Sequence, residues 1–331
     1  MVGTNIGTSK SDQSPKSLTN IEIFEICIYF VILVVGVIGN GLVIFVTGYK
    51  IKKTVNSIWF LNLAIADFIF ISFLVYNIVF VFDKSILLDL NNHMNACLYF
   101  GFALNMSASV FFLTVISVDR CLCTWFVVWA QNKRTLVKAR NISLFVWILS
   151  IHYSIPFGFV EYVQDAGNVN DVYMSLFTFM LIMGFVIPFI IIVSSYIAIG
   201  VRVKRLKTGR QLRPYRIISV ILAFFICWFP FHVQQLCLTM AMKNNWGDSA
   251  KEKINSAGPF VSCLIYLNSC LNPILYVFMC DEYKKKLKKS LLLVFEGAFI
   301  EEQILGLRST SLPQNSQCQQ VVNVQTEETT I

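Results

Sequence analysis

Residues 26–49 read ICIYFVILVVGVIGNGLVIFVTGY, a run with no Asp, Glu, Lys or Arg. About 20 apolar residues in a helix cross the hydrocarbon core of a bilayer, so this run is long enough to span one. Further charge-free runs occupy 90–118, 141–160, 172–201, 217–242 and 254–280, and the run 54–82 is broken only by Asp67. None alternates with the two-residue period of a membrane barrel, and an open sheet would leave its edge amides unpaired in lipid. The runs therefore predict an all-α membrane protein, a seven-transmembrane helix bundle.

Composition supports the same reading. Of the 331 residues 56% are hydrophobic and only 14% charged, where a soluble domain carries about 25% charged residues. The formal net charge of +8 is strongly polarised. Segments 50–53, 120–140, 202–216 and 281–331 hold 21 Lys and Arg, and the segments on the other side hold 6. This bias puts the N-terminus outside and the C-terminus in the cytoplasm, as expected of a multi-pass plasma-membrane protein. The basic excess then faces inner-leaflet lipid, and nucleic acid is not an expected partner. The polar first 23 residues show no signal-peptide core, so the first span is expected to direct insertion.

The expected organisation is an extracellular N-terminus over 1–23, the bundle over 24–280, a membrane-surface helix over 281–296 and a disordered cytoplasmic tail over 297–331. The short amphipathic eighth helix is read from Phe278, Tyr283, Leu287, Leu291 and Leu292 on one side, with the lysines at 284–286, 288 and 289 placed for anionic lipid.

Inside the spans, Asp67 is the one deep acid, and such a group costs several kcal/mol unless it meets polar partners or water. Ser109, Asn268 and Asn272 lie at depths that could meet it, with Asn40 as a further neighbour. The residues leave two readings open: a satisfied structural hydrogen-bond cluster, or oxygen ligands for a hard monovalent cation or a proton. Asp119 and Arg120 end the third span, where an adjacent acid and base can pair locally or exchange partners. Pro156, Pro188, Pro230 and Pro273 each remove a helix hydrogen bond and predict kinks that serve as hinges.

Taken together, Gly39-Asn40, Leu63-Ala64-Ile65-Ala66-Asp67, Asp119-Arg120-Cys121, Trp147, Cys227-Trp228-Phe229-Pro230, Asn272-Pro273-Ile274-Leu275-Tyr276, and Tyr196 eight residues after Pro188 resemble the rhodopsin-like (class A) G-protein-coupled receptors. The resemblance covers roughly residues 24 to 296, one element per helix and in order. Asn40-Gly41-Leu42-Val43-Ile44, Leu61-Asn62-Leu63-Ala64, the run 128–135 and Asn268-Ser269-Cys270-Leu271-Asn272-Pro273 look like the chemoattractant branch, with its formyl peptide, chemerin and prostaglandin D2 chemoattractant receptors.

That resemblance implies a receptor that passes an extracellular peptide, protein or lipid signal to a heterotrimeric G protein, of the inhibitory class in this branch. It assigns the switch to Asp119, Arg120, Tyr196, Phe224, Trp228, Pro230 and Tyr276. It also implies an allosteric sodium ion at Asp67, Ser109, Asn268 and Asn272. Ala103 and Met180 by alignment, with His232, Gln235 and Phe260 by position, are the expected ligand pocket. Ser309, Thr310, Ser311, Thr326, Thr329 and Thr330 are candidate phosphorylation sites for arrestin binding, and Thr329-Thr330-Ile331 resembles a PDZ-protein ligand.

The chain departs from the formyl peptide receptors at the pocket. Where they carry a third-helix acid and two fifth-helix arginines, it has Ala103, Met180 and Leu176, so formyl-peptide recognition is not expected. Cys97 lies 23 residues before Arg120, against a family spacing of 25, and segment 161–171 has no cysteine, so the usual outer disulfide is not expected either. Glu161, Asp165 and Asp171 in that short segment leave two readings, an open acidic mouth or a relaxed, weakly signalling or decoy receptor. Val127 stands where the family usually has a proline, which bears on coupling strength. No glycosylation sequon falls on an outer segment, since those headed by Asn105 and Asn141 lie within or beneath the membrane. From another class, a seven-helix transporter, channel or light-driven pump is the alternative; it is disfavoured by the single buried acid and by the lack of lysine in 254–280. Nothing points to an enzyme.

Overall fold

The computed structural model describes residues 19–50, 52–82, 92–159, 169–206 and 214–279. The chain divides into two units, Met1–Asp281 and Glu282–Ile331; the expected eighth helix and tail lie outside the described residues. So does the outer segment 160–168. The described residues are all helical or connecting, with no strand among them.

Among the described residues eleven α-helices follow in order: α1 (Asn20–Phe45), α2 (Val55–Ser72), α3 (Leu74–Phe82), α4 (Asn92–Trp125), α5 (Val127–Lys133), α6 (Leu136–Gly158), α7 (Val169–Leu181), α8 (Ile187–Leu206), α9 (Pro214–Lys243), α10 (Asp248–Asn255) and α11 (Gly258–Met279). Seven spans result: α1, α2 with α3, α4, α6, α7 with α8, α9 and α11. Among the described residues six helical stretches are long and apolar enough to cross a membrane, from Glu22–Lys50 to Ala223–Lys243. α11, with 22 residues and no charged one, completes the seven.

The structure refines the span boundaries. The second span is not one helix, since it breaks at Phe73 between α2 and α3. The third does not stop at Asp119 and Arg120 but continues to Trp125, so both side chains sit on helix. α5 and α10 are short helices in connections, which the charge pattern did not indicate.

Local chemistry explains where the helices start and bend. Thr19 accepts from the Glu22 amide while Glu22 reaches back to the Thr19 amide, and Thr54 and Ser57 repeat this reciprocal cap at α2. Thr135 caps α6. A π-helical turn, Ile182–Val186, precedes Pro188 and widens the fifth span where the proline cannot donate.

Pro273 has no N–H for the carbonyl of Ser269 four residues earlier. Asn40 replaces the missing donor: its Nδ2 bonds the Ser269 carbonyl at 3.0 Å and the Gly36 carbonyl at 3.1 Å. The helices can approach this closely because a Cβ on Gly39 would already meet Pro273 Cγ at 3.2 Å.

Polarity is inverted relative to a soluble bundle. Phe30, Leu144, Ile190, Ile197 and Ile226 are exposed on the outside, whereas Asn40, Asp67, Asn105, Ser109, Asn268 and Asn272 are buried. An apolar belt around a polar interior is what lipid demands.

The Asn40 clamp gives a test. Asn40→Ala leaves the Ser269 carbonyl unpaired, a loss of about 1–3 kcal/mol, and is expected to lower the thermal unfolding midpoint in detergent by several degrees. An unchanged midpoint rules the clamp out as a stabilising contact.

Candidate functional site

At the centre of the bundle, the fully buried Asp67 of α2 gathers donors from two other spans. Asn272 Nδ2 of α11 reaches Oδ2 at 2.6 Å, while Asn105 Nδ2 and the Ser109 hydroxyl of α4 reach Oδ1 at 3.4 and 3.5 Å. Asn268 is buried but does not bond Asp67, and its Nδ2 has no partner. Asn105 was noted in the sequence only for its sequon. Its position four residues before Ser109, one helical turn away on the same face, was the signal that placed it here. Asn105 Oδ1 and Ser269 Oγ are also buried without partners. Together with Asp67 and Ser109 these oxygens form a donor set that fits a hard monovalent cation. Among the described residues there is no group of His, Cys, Asp and Glu suited to a transition metal.

A cavity of about 440 Å³ opens between the spans at the end of the bundle that carries α10. Its wall follows helical phase. α4 presents Asn95, Leu98, Tyr99 and Phe102, spaced three and four apart on one face, and α11 presents Ser262, Ile265 and Tyr266 in the same way. Met180 and Gln235 of the expected pocket line it, as does Leu176. Three expected residues do not. Ala103, one residue past Phe102 and about 100° around the helix, is wholly buried, with its carbonyl taken by Ser107. His232, one past Phe231, packs its ring on Phe185 at 4.5 Å. Phe260 is two residues and roughly 200° from Ser262, and lies 65% exposed on the outer surface.

Rings continue from the cavity into the core. Phe102 and Phe231 of the wall stand 5.6 and 6.1 Å from the fully buried Trp228, and Trp228 stands 6.1 Å from Phe224. Pro230 interrupts α9 two residues past Trp228. Phe70 stacks on Tyr266 at 4.7 Å, and the Asn77 amide donates to the Tyr266 phenol at 2.7 Å, joining α2, α3 and α11.

At the opposite end, Asp119 does not pair with its neighbour Arg120. Arg134, in the connection from α5 to α6, takes the carboxylate with two bonds of 2.8 Å and places Nη2 2.6 Å from Asn56 Oδ1. Adjacent residues on a helix point about 100° apart, which leaves Asp119 turned towards α2 and α6 and Arg120 half-buried without an ion-pair partner among the described residues. Burial disfavours the Arg134 cation, but the hydrogen bonds and charge of Asp119 more than offset it, and its pKa stands above the ordinary value. The Ser117 hydroxyl, one turn from Arg120, donates to the Tyr196 phenol at 3.2 Å. Trp125 Nε1 donates to the Ala198 carbonyl at 3.1 Å, holding the ends of the third and fifth spans together. Tyr276 lies on α11, but its side chain is outside the described residues. Cys97 carries a free, exposed thiol.

A buried polar centre, an aromatic-walled cavity at one end and an arginine with no ion-pair partner among the described residues at the other, on seven spans, define a class of membrane receptor. Residues 39–276 match the family described as 7 transmembrane receptor (rhodopsin family), and the chain belongs to it. It is a G-protein-coupled receptor and not an enzyme. Among its relatives, the C3a anaphylatoxin chemotactic receptor of Danio rerio is 35% identical over 96% of this chain and 87% of that one. The human N-formyl peptide receptor 3 is 32% identical over 87% and 88%. The human chemerin-like receptor 1 is 31% identical over 83% and 79%. The chain is thus a chemoattractant-type member of the family.

The Arg134 contact is open to direct test. Arg134→Ala is expected to cost about 1 kcal/mol after discounting for partial exposure, seen as a drop of a few degrees in the unfolding midpoint. Arg134→Lys should recover only part of it, since an ammonium cannot make the two-pronged contact.

Proposed function

We propose that the chain signals from an extracellular ligand, held in the aromatic-walled cavity, to a G protein of the inhibitory class at the Arg120 end. The observation that carries this is the unbroken line of ring contacts from the cavity wall through Phe102 and Phe231 to Trp228 and Phe224. A ligand pressing on the two wall rings moves Trp228, and Pro230 lets the two halves of α9 change angle. The other end of α9 then swings away from α4. Arg120, with no ion-pair partner among the described residues to release, is available to a G protein in the cleft so opened.

On this reading the N-terminus and α10 lie outside the cell, the Arg134 and Asp119 end faces the cytoplasm, and the membrane is the plasma membrane, in line with the 21-to-6 distribution of basic residues. Asp67, Ser109, Asn105 and Ser269 would hold a sodium ion, which supplies positive charge to the buried carboxylate and so favours the closed arrangement. Asn272 and Tyr196, with Tyr276, reorganise on opening. Arrestin binding to a phosphorylated tail and capture of the C-terminus by a PDZ protein are further expected partnerships of this receptor.

Two outcomes test the proposal. Arg120→Ala should reach the cell surface at normal levels yet lose guanine-nucleotide exchange, basal and stimulated; retained exchange refutes the assigned role. A formyl-methionyl peptide at nanomolar concentration should neither mobilise calcium nor lower cyclic AMP, because Met180 and Leu176 offer its carboxylate no cation.

A further inference from the structure

The cavity identifies the chemical class of group that it accepts. Its lining includes ten aromatic rings and, among the described residues, not one Asp, Glu, Lys, Arg or His. A carboxylate entering such a wall loses its water and gains no counter-charge, a cost that normally excludes it. Four of its polar side chains are already paired with one another: Asn77 donates to Tyr266 at 2.7 Å, and the Tyr76 phenol donates to Asn95 at 3.3 Å.

Gln235 is different. It projects from α9 one turn beyond Phe231, lines the cavity, and has no hydrogen-bond partner among the described residues. A primary carboxamide offers two donors and an acceptor, and its natural complement is another amide. A volume of about 440 Å³ is enough for a compact ligand segment and too small for a folded domain.

We infer that the buried part of the ligand is an apolar or aromatic segment carrying an amide that pairs with Gln235, and that a free carboxylate is excluded. This rests on the cavity being the ligand site, as proposed above. Two sources share the chemistry: the amide-capped or internal residues of a peptide, and a fatty acyl amide.

The test uses the full-length chain in nanodiscs and two matched pairs of probes, N-acetyl-Phe-Phe-amide against its free acid and N-oleoylethanolamine against oleic acid. Binding is read by ligand-observed NMR or thermal shift, independently of any G protein. In at least one pair the neutral member should bind better by about tenfold or more, and the pair that does so identifies the source. Gln235→Leu should erase the preference, and Leu176→Arg should invert it by supplying the missing cation. Equal binding of acid and amide in both pairs, absence of binding by all four probes, or a preference untouched in both variants overturns the inference. If that happens while Arg120-dependent nucleotide exchange persists, the ligand class alone is wrong and the signalling role stands. Preference retained with no exchange leaves the ligand class standing and removes the signalling role.

Discussion

One carboxylate organises the interior. Asp67 is wholly buried in a helix that faces lipid elsewhere, so its lone pairs must be met from inside the bundle. Asn272 meets one oxygen from the seventh span, and Asn105 and Ser109 meet the other from the third. Asn40 extends the same solution to the backbone by serving the carbonyl that Pro273 leaves unpaired. Spans one, two, three and seven are thereby tied by polar contacts, with little hydrophobic driving force available between helices in lipid. The sixth span has no comparable polar tie to the centre among the described residues, and Trp228 sits there with its indole N–H unpartnered. A frame fixed by hydrogen bonds with one span held mainly by rings suits a switch, because the ring-packed span can move without stranding a charge.

The two ends of the bundle obey different electrostatics. Among the described residues the cavity wall carries no formal charge, and on the proposed reading what enters is selected by shape, ring stacking and the Gln235 carboxamide. The opposite end is crowded with cations, and its one acid near the core is claimed by Arg134 from the connection to the fourth span and not by its neighbour in sequence. That exchange leaves Arg120 without an acid to hold it among the described residues, while Trp125 ties the third span to the fifth through the Ala198 carbonyl. Both contacts depend on the third helix running past Arg120 to Trp125.

Much of this was legible in the sequence. Charge-free runs gave seven helices because lipid permits no other use of them. Asp67 announced a polar centre because a lone acid there is too costly to leave alone, and the order of short motifs gave the family. Rotation was the least legible property. Ala103 was placed by alignment and His232 and Phe260 by position, and none of the three lines the cavity, because a step of one or two residues turns a side chain away from it. Asn105 was missed for the opposite reason: it shares a face with Ser109, but a single turn of a helix carries no label until a partner helix is known.

The sequence by itself determined the class of solvent, the number of the spans, the existence of a buried acid, and the absence of arginines at Met180 and Leu176. These depend on residue type and spacing along one chain, which free energies of transfer to lipid decide. Tertiary structure alone decided that Arg134 and not Arg120 holds Asp119, that Asn40 substitutes for the amide lost at Pro273, and that Gln235 faces a wall with no charge and no partner for it among the described residues. Those outcomes turn on which helix faces meet, and hydrogen bonds and ring contacts between residues far apart in sequence exist only once packing has fixed each helix's rotation.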